Sequence, residues 1–408
     1  MAALPVSVIV VSQGRPALLR RCLLGIHQLA YRPVELIVVA DRNGLDRIAD
    51  LSFAGRIKTR LETRQNISAA RNLGIAMAGG EILAFVDDDA VPEPSWLTRL
   101  IAAFEDPDVM AAGGHVIGRN GISLQWGSRA VNGLAEEMAL DLPGAGPVCP
   151  DLPEGYALKL QGTNFALRRE AIEQIGGFDE AFAFYLDDTD LAMRLHRAGL
   201  RSAAVPGALV HHGFAPSSRR HRNRAPRSLA QIGASMAVYL RKHGQADRVV
   251  PRLNAFRKQQ RDRLDRFLLR GDLEPGDVGR LRKDLEDGIA AGMTRQPGQT
   301  LIPTVGDGTF LTLREEPAPQ AVYMAGRWFQ ARRLLAEAAQ KAGKGGTVTV
   351  FLFAPSLRAH RVAFSETGVW VQAGGLFGRS DRGQAFAQAW GFRGRVRAET
   401  ERCRPHRG

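Results

Sequence analysis

The sequence predicts an α/β protein in which helices flank a largely parallel sheet, followed by a basic helical segment and a small α/β or α+β appendage. Two features predict the sheet: a strand–helix–strand pattern within residues 5–39, and an apolar run over residues 82–86 that leads into three aspartates. Continuous apolar runs are typical of parallel strands that helices cover on both faces. A third feature, the charge distribution, predicts the basic segment that follows, because the chain is mildly acidic up to residue 212 and basic after it.

The charge distribution divides the 408 residues into three parts. Residues 1–212 contain 20 basic and 25 acidic side chains, residues 213–300 contain 19 and 9, and residues 301–408 contain 16 and 8. The composition is otherwise that of an ordinary soluble globular protein, with 45% hydrophobic and 24% charged residues. We therefore predict three domains: residues 1–213, a basic helical extension over 214–300, and a small C-terminal domain of unknown role over 301–408.

The cysteines and the lack of long apolar runs predict a cytoplasmic protein. Cys22, Cys149 and Cys403 are far apart and match no metal-binding spacing, which is typical of reduced thiols. The N-terminus lacks the basic start of a signal peptide. No apolar run approaches the roughly 18 residues that a membrane-spanning helix needs.

Residues 5–39 predict a βαβ unit. A strand over 5–11 is followed by a helix over 17–29 and a second strand over 34–39. A right-handed crossover places both strands in one parallel sheet. Asp41 then lies at the carboxyl end of the second strand, where its carboxylate can accept hydrogen bonds from a ribose or a base. The alternative is a turn of the Asp-Asn-Gly type.

The three aspartates after the apolar run predict a metal site. Alternate residues of an extended segment point the same way, so Asp87 and Asp89 share one cation while Asp88 points elsewhere. Carboxylate oxygens suit Mg²⁺ or Mn²⁺, often with a substrate phosphate that completes the shell. The alternative is an acidic turn before a helix that starts near Pro94.

An alanine-rich helix over residues 66–78 precedes these aspartates. Its expected cap is Ser68, and the glycine pair at 79–80 ends it. Arg71 in this helix has either a surface ion pair or a ligand contact, and the residue alone favours the ion pair.

A second acidic group follows near the middle of the chain. The sequence predicts a helix from about Asp188 to Gly199, with Asp187 as its cap and Asp190 as the partner in a box-like cap. This leaves Asp188 at the start of the helix and available for chemistry.

Three more segments complete this half of the chain. A strand is predicted over residues 109–117, and the irregular stretch 118–160 is typical of a binding loop or lid. A short strand over 203–210 then ends in His211 and His212. A histidine at the end of a strand is more often structural than a ligand.

Taken in order, these segments resemble the motifs of family 2 glycosyltransferases, which have the GT-A fold. The resemblance is carried by VSVIVVSQGRPALLRRCL, NISAARNLGIAMAGGEILAFVDDDAVPEPSWL, GTNFALRREAIEQIGGFDE, YLDDTDLAMRLHRAG and PGALVHHG. These motifs cover about residues 5–213, and five of them in this order and spacing are specific where any one alone is not. The resemblance implies a GT-A-type nucleotide-binding sheet with flanking helices.

The resemblance also implies an inverting, divalent-metal-dependent transfer of a sugar. The donor is a nucleotide sugar, the acceptor is a hydroxyl of a glycan, a lipid-linked or another molecule, and cell-envelope polysaccharide is the implied product class. Asp188 matches the catalytic base that takes the proton of the acceptor hydroxyl. The implied cofactor is Mg²⁺ or Mn²⁺. The other implied contacts are Asp87, Asp89 and His212 for the metal, Asp41, Arg71 and Asp88 for the donor nucleotide, and Gly162, Asn164 and Asp187 for the acceptor side.

Two other functions fit parts of the sequence. A nucleotidyltransferase on a related fold also needs an acidic metal site after a βαβ unit. A non-catalytic protein that binds anions or nucleic acid would use the basic half of the chain. Residues 213–300 have few aromatic residues and none within 219–227, which argues against nucleic acid as a partner.

The dense arginine cluster at residues 219–227 has several interpretations. It can hold a nucleotide diphosphate, an anionic lipid surface or nucleic acid, or it can be a solvated face. Beside a glycosyltransferase-like domain we favour an acceptor-side role or peripheral contact with the inner face of a membrane.

The rest of the chain predicts helices and then a small domain. The predicted helices cover residues 228–243, 248–270, 275–292 and 326–342. The predicted strands cover 301–313, with a Gly-Asp-Gly turn, then 347–353 and a hairpin over 362–371. The arginine-rich end from Arg393 is predicted to be disordered.

Overall fold

The computed structural model describes residues 3–213, 219–298, 302–305, 308–316 and 320–408. The strands in these ranges are β1 (Val6–Ser12), β2 (Val34–Ala40), β3 (Ile57–Leu61), β4 (Ile82–Phe85), β5 (Ala90–Pro92), β6 (Val109–Ile117), β7 (Leu124–Trp126), β8 (Arg129–Asn132), β9 (Glu137–Ala139), β10 (Tyr156–Leu158), β11 (Phe165–Arg168), β12 (Arg201–His212), β13 (Val322–Arg327), β14 (Val348–Ala354), β15 (Arg361–Phe364) and β16 (Val369–Gly375). The helices are α1 (Pro16–His27), α2 (Arg42–Ile48), α3 (Ile67–Met77), α4 (Trp96–Ile101), α5 (Arg169–Gln174), α6 (Asp187–Arg197), α7 (Ala230–His243), α8 (Ala246–Leu269), α9 (Pro275–Thr294), α10 (Ala331–Gly343) and α11 (Phe392–Arg407).

The larger sheet has the strand order β3-β2-β1-β4-β11-β6-β12-β5, with β7 paired to β6. The first four strands in this order are parallel, β11 runs antiparallel to both of its neighbours, and β6 and β12 are parallel to each other. Neighbouring residues of β1, such as Val8 and Ile9, point into two different hydrophobic clusters, one on each face of the sheet. Helix α1 packs into one cluster and α3 into the other. Strands buried on both faces and covered by helices confirm the predicted α/β class.

Several strand ends of this sheet meet at one edge. β1 and β4 are parallel neighbours, so the residues that follow them, including Asp87, emerge side by side. The antiparallel register of β5 and β12 pairs Ala90 with His212, which places Asp89 next to the end of β12. The amide of Gly213 donates to the carbonyl of Asp89 at 2.8 Å and fixes this arrangement.

The basic middle segment forms the three predicted helices, here α7 to α9. Met236 of α7 and Leu285 of α9 lie in the same hydrophobic cluster as Phe178, which lies between α5 and α6. Helices α7 and α9 approach closely at Gly288, where an added Cβ would lie 2.0 Å from the carbonyl oxygen of Ala230. The division into three domains stays a prediction.

A second, four-stranded sheet has the order β13-β14-β16-β15. β13, β14 and β16 are parallel, and β15 and β16 form the predicted hairpin. Residue 301 and residues 306–307 of the predicted Gly-Asp-Gly turn lie outside the described residues. The described parts of 301–313 contain no strand, so that prediction is wrong for them.

Disorder after Arg393 was also a wrong prediction, because this segment is helix α11. The helix buries one face against the second sheet. The buried residues are Arg395, Glu399, Cys403 and Arg407. Their spacing of four places them on one stripe of the helix, and such a stripe packs against a partner in spite of the arginine-rich composition.

Local details also differ from the sequence predictions. Asn66 caps α3 by accepting from the amide of Ala69 at 3.1 Å, while the Ser68 hydroxyl donates to the carbonyl of Phe182 at 2.8 Å. The helix expected near Pro94 starts at Trp96. The stretch 118–160 contains β7 to β10, of which β8, β9 and β10 form a small sheet of their own. Within the described ranges, no helix has both the length and the hydrophobicity to cross a bilayer.

Candidate active site

An Asp–Asp–His cluster lies at the edge where β4, β5 and β12 end. One ligand atom from each of Asp87, Asp89 and His212 lies within 4.8 Å of the others. Asp89 and His212 are buried, and the Asp87 side chain is partly exposed. The His212 Nε2 atom lies 3.1 Å from Asp89 Oδ1, and its Nδ1 atom lies 3.2 Å from the side-chain amide of Gln125. Two carboxylates and one imidazole at this spacing fit a divalent cation.

Asp88 points away from this cluster into the protein. It is fully buried, accepts from the Ser12 hydroxyl at 2.5 Å and pairs with the Arg15 guanidinium at 2.6 Å. Burial raises the pKa of Asp88 to about 7, although Arg15 opposes the rise. The expected inward turn of the middle aspartate is therefore correct, but its expected contact with the donor nucleotide does not fit a side chain without exposed surface.

Asp187 and Asp188 begin helix α6. Their approach is bent, because Tyr185 and Leu186 have positive φ values of 73° and 65°. Non-glycine residues in this region cost about 1–3 kcal/mol each, and such strain is concentrated at functional sites. No side chain caps the helix, so the predicted cap by Asp187 is wrong.

Each of the two carboxylates at the start of α6 has its own partners. Asp188 accepts from the amide of Gly162 at 2.7 Å and from the hydroxyl of Thr189 at 3.0 Å. The Asp187 carboxylate is buried against the guanidinium of Arg71. Burial raises the pKa of Asp187 to about 7, with Arg71 acting in the opposite direction.

Arg71 joins the two acidic groups. It is buried, pairs with Asp187 through one terminal nitrogen, and lies 3.3 Å from Asp87 through the other. The same nitrogen donates to the carbonyl of Gly162 at 2.8 Å. Protein acceptors surround the guanidinium, so Arg71 lies between the acidic groups. Its implied contact with the donor nucleotide stays a prediction. The metal-site cluster and Asp188 are therefore neighbours in space.

The other residues predicted to contact the donor or the acceptor are Gly162, Asn164 and Asp41, and each has different surroundings. The Gly162 backbone holds both Arg71 and Asp188. Asn164 is fully buried, and its amide bonds to the indole of Trp96 and to two backbone carbonyls. Its predicted place on the acceptor side is therefore wrong. Asp41 caps α2 and accepts from the amides of Gly44 and Gly14, so the turn alternative describes its contacts best.

The start of the basic cluster at 219–227 reaches the acidic edge. Arg220 Nη2 lies 3.5 Å from Asp89 Oδ2, and the Arg219 guanidinium lies 4.1 Å from the centre of the Phe184 ring. Arg15 contributes a third guanidinium, at 3.3 Å from Asp89. Positive charge therefore surrounds the aspartates on the side where the chain continues after β12.

Comparison with known proteins gives the site a family. A family model described as Glycosyl transferase family 2 matches residues 7–176. This part of the chain is a family 2 glycosyltransferase domain. The match includes the aspartates of residues 87–89, and together with the sheet topology it confirms the predicted GT-A-type fold class.

Curated relatives of the glycosyltransferase domain are longer than the region they share with it. The O-antigen biosynthesis protein RfbC of Myxococcus xanthus is 31% identical over 232 residues, which is 53% of this chain and 18% of that protein. The glucosyl-dolichyl phosphate glucuronosyltransferase of Haloferax volcanii is 30% identical over 159 residues, 36% of this chain and 47% of that protein. The chain thus spans about half the length of these relatives or less.

A solved structure is also similar to this chain at low identity. GalNAc-T7, crystallised with UDP, GalNAc and Mn²⁺, is 17% identical, with a TM-score of 0.47 over 70% of this chain and 55% of that one.

Sequence reasoning missed several residues of the candidate site. Ser12 and Arg15, which hold Asp88, belong to a stretch that gave only a turn signal. Gln125, beside His212, lies in the irregular stretch. Glu93 is a buried carboxylate directly after β5, and such a group needs a partner. The partner is Arg407, at the far end of the chain.

Proposed function

We propose that the protein is an inverting glycosyltransferase that moves a sugar from a nucleotide-sugar donor to an acceptor hydroxyl. The observation that carries this proposal is the position of Asp188, which is held by the amide of Gly162, while the carbonyl of Gly162 is held by Arg71. The Arg71 guanidinium in turn lies 3.3 Å from Asp87 of the Asp87–Asp89–His212 cluster. Transfer with inversion needs a base on one side of the donor sugar and stabilisation of the leaving diphosphate on the other.

The cluster residues have the chemistry for Mg²⁺ or Mn²⁺. Two carboxylates and an imidazole leave coordination positions for phosphate oxygens, and a bound divalent cation would stabilise the charge that develops on the leaving diphosphate. The surrounding protein orients these ligands: Gln125 lies against the outer ring nitrogen of His212, and Arg15 and Arg220 lie against Asp89.

Asp188 is the proposed base. The amide of Gly162 and the hydroxyl of Thr189 hold its carboxylate in place, and its side chain is only half-buried, which leaves it accessible to an acceptor. A carboxylate within hydrogen-bond reach takes the proton of a hydroxyl as the new glycosidic bond forms, which makes the hydroxyl oxygen the nucleophile. At the anomeric carbon of the donor sugar, the bond to the diphosphate oxygen breaks as the bond to the acceptor oxygen forms. One displacement of this kind inverts the configuration at that carbon.

Arg219 and Arg220 supply positive charge for the donor phosphates in this proposal. Both guanidiniums belong to the segment that follows β12 and returns to the acidic edge. Charge-assisted bonds from arginine to phosphate are among the stronger polar contacts in proteins. Membrane contact by the whole cluster at 219–227 stays a prediction.

The names of the relatives guide the proposed acceptor. One is named for O-antigen biosynthesis, and the name of the other contains a sugar linked to dolichyl phosphate. We infer a glycan or lipid-linked acceptor in the assembly of cell-envelope polysaccharide.

A donor screen tests the proposal. Thermal shift with a panel of UDP-, GDP- and dTDP-sugars should identify a nucleotide sugar that stabilises the protein with Mn²⁺ but not with EDTA. Turnover of that donor with a lipid-linked or glycan acceptor should release nucleoside diphosphate. Release of sugar 1-phosphate instead, with transfer of the nucleoside monophosphate, would indicate a nucleotidyltransferase. Equal turnover in EDTA would refute the metal role of Asp87, Asp89 and His212.

A further inference from the structure

One edge of the second sheet exposes a group of large apolar side chains. Five of them belong to the loops that follow the parallel strands β13, β14 and β16, and their relative exposure lies between 39% and 69%. The five are Trp328, Phe329, Leu357, Phe377 and Phe386. We call them the aromatic edge. Exposed apolar residues are ordinary when scattered singly, whereas a group of this size at one place marks an interaction surface.

The strand register brings these loops together. Arg327 at the end of β13 pairs with Phe353, which in turn pairs with Gly374 near the end of β16, so the three strands end level with one another. Neighbouring strands are about 4.8 Å apart, which puts the loops after β13 and β16 within roughly 10 Å.

The last loop folds back onto the same edge. The amide of Gln388 donates to the carbonyl of Phe377 at 2.9 Å, and Gly378 forms a bridge with Ala387. Phe386 is the neighbour of Ala387 and therefore joins Phe377 at the end of β16.

The aromatic edge is at the far end of β16 from the contact between the start of this strand and helix α1. At the opposite end of β16, Gln28, which directly follows α1, donates to the carbonyl of Gly368 at 2.6 Å, and Arg20 of α1 donates to the carbonyl of Glu366 at 3.0 Å. The seven residues of β16 span about 20 Å at the usual rise of a strand. The edge thus lies well away from the surface that α1 covers.

The loops of the aromatic edge are also strongly basic. Residues 327–333, 355–360 and 376–389 contain six arginines, and their only acidic residue is Asp381. Arg402 of α11 lies 3.3 Å from the Asp381 carboxylate and compensates it. The arginines are Arg327, Arg332, Arg333, Arg358, Arg379 and Arg382.

We propose that the aromatic edge is a docking surface for the headgroup region of an anionic lipid bilayer. Tryptophan and phenylalanine bury their rings at the boundary between headgroups and acyl chains, and nearby arginines bind anionic headgroups. The charge argues against a second copy of the chain as the occupant, because two such edges face to face would bring twelve arginines together. This inference does not depend on the proposed sugar transfer.

Vesicle sedimentation of the full chain tests this surface. The probes are vesicles of phosphatidylcholine alone and of phosphatidylcholine with phosphatidylglycerol. The wild type should sediment with the anionic vesicles at low salt and be released at about 1 M salt, where the Debye length is about 3 Å. The double variant Trp328→Ser, Phe329→Ser should bind roughly ten- to a hundredfold more weakly, because it loses two of the five apolar side chains that enter the boundary.

The matched control is Leu269→Ser, which changes an even more exposed apolar residue at the end of α8. It should bind anionic vesicles as the wild type does, and thermal unfolding should be the same for all three proteins because each altered side chain is exposed. A wild type that does not sediment with anionic vesicles at low salt overturns the proposal.

Two further results would also overturn it. One is loss of binding in Arg222→Ser of the basic cluster at 219–227 while Trp328→Ser, Phe329→Ser binds normally. The other is light scattering that shows a wild-type dimer which the double variant loses, since the edge would then be an interface between copies.

Discussion

Arg407 holds both carboxylate oxygens of Glu93, although 314 positions separate the two residues in the chain. Its Nε atom donates to Glu93 Oε2 at 2.8 Å, and its Nη2 atom donates to Oε1 at 2.7 Å. His211 lies 2.7 Å from the same Oε1, and the Arg407 guanidinium lies 4.0 Å from the centre of the Trp370 ring. Glu93 thereby links the last turn of α11 to His211, the strand residue that precedes His212.

Replacing Arg407 by Met should destabilise the whole protein. The substitution leaves the buried carboxylate of Glu93 without its main partner, and removal of one member of a buried ion pair typically costs about 3–5 kcal/mol. Urea denaturation gives the free energy of unfolding. Arg402→Met is the matched control, because it alters a half-exposed arginine of the same helix and should cost less than about 1 kcal/mol. Equal losses in the two variants would contradict the role of the pair.

The Glu93–Arg407 pair should also give the protein an acid-sensitive stability. Burial opposes ionisation of Glu93, but Arg407 and His211 outweigh it and hold the pKa of this carboxyl well below its usual range. The unfolded state, with a pKa of about 4.3, therefore takes up a proton before the folded state does. The contribution is complete above that pH and is lost as the pH falls below it, by up to about 1.4 kcal/mol per pH unit.

Glu93→Gln should remove this pH dependence. Urea unfolding at a series of pH values between 7 and 3 measures it as the difference between wild type and variant. The difference should be constant down to about pH 5 and then shrink as the wild type loses stability. A difference that does not change with pH would contradict the assignment.

The elements that the sequence predicted well are those whose own residues decide their structure. The strand before Asp87 is apolar throughout and was correctly placed, as was the hairpin of β15 and β16. Helix α11 is the exception, because its arginine-rich composition favours disorder whereas the spacing of its buried residues favours a helix. Arg395, Glu399 and Cys403 recur every four residues, and this pattern was readable in the sequence.

The site could be predicted only in part, because its contacts are between distant segments. The motifs placed Asp87, Asp89 and His212 together, and the structure brings them into one cluster. The partner of Glu93 could not be found this way, since no local pattern links a carboxylate after β5 to the last turn of the chain. Asn164 was misplaced for the same reason, because only the fold shows that its amide is consumed by the core.

Replacing His212 should weaken metal binding, and this effect can be measured without sugar transfer. Electron paramagnetic resonance of Mn²⁺ reports the free ion, so titration with protein measures affinity without turnover. His212→Gln should lower that affinity roughly ten- to a hundredfold, because one ligand of the cluster is removed. His196→Gln, on the exposed face of α6, should bind like the wild type. Unchanged binding by His212→Gln would place the cation elsewhere.

Asp188→Asn should abolish transfer and leave donor and metal binding intact. The amide keeps the shape of the carboxylate but cannot take the acceptor proton, and loss of a general base costs about 10²–10⁴-fold in rate. Calorimetry with the donor and Mn²⁺ should give an affinity close to that of the wild type. Asp151→Asn, an exposed aspartate of the irregular stretch, is the control and should transfer normally. Substantial turnover by Asp188→Asn would remove the residue from its proposed role.

Gly162→Ala tests whether the position of Asp188 matters as well as its charge. An added Cβ at residue 162 would lie 3.2 Å from Asp188 Oδ2 and 3.1 Å from Arg71 Nη2, so both side chains must shift by a few tenths of an ångström. Displacements of this kind lower the rate without removing any reacting group, and we expect kcat to fall roughly tenfold with little change in donor affinity. Gly146→Ala is the matched control, because no atom lies within 4 Å of its added Cβ. If both alanine variants retain full kcat, the contact between Gly162 and Asp188 does not position the base.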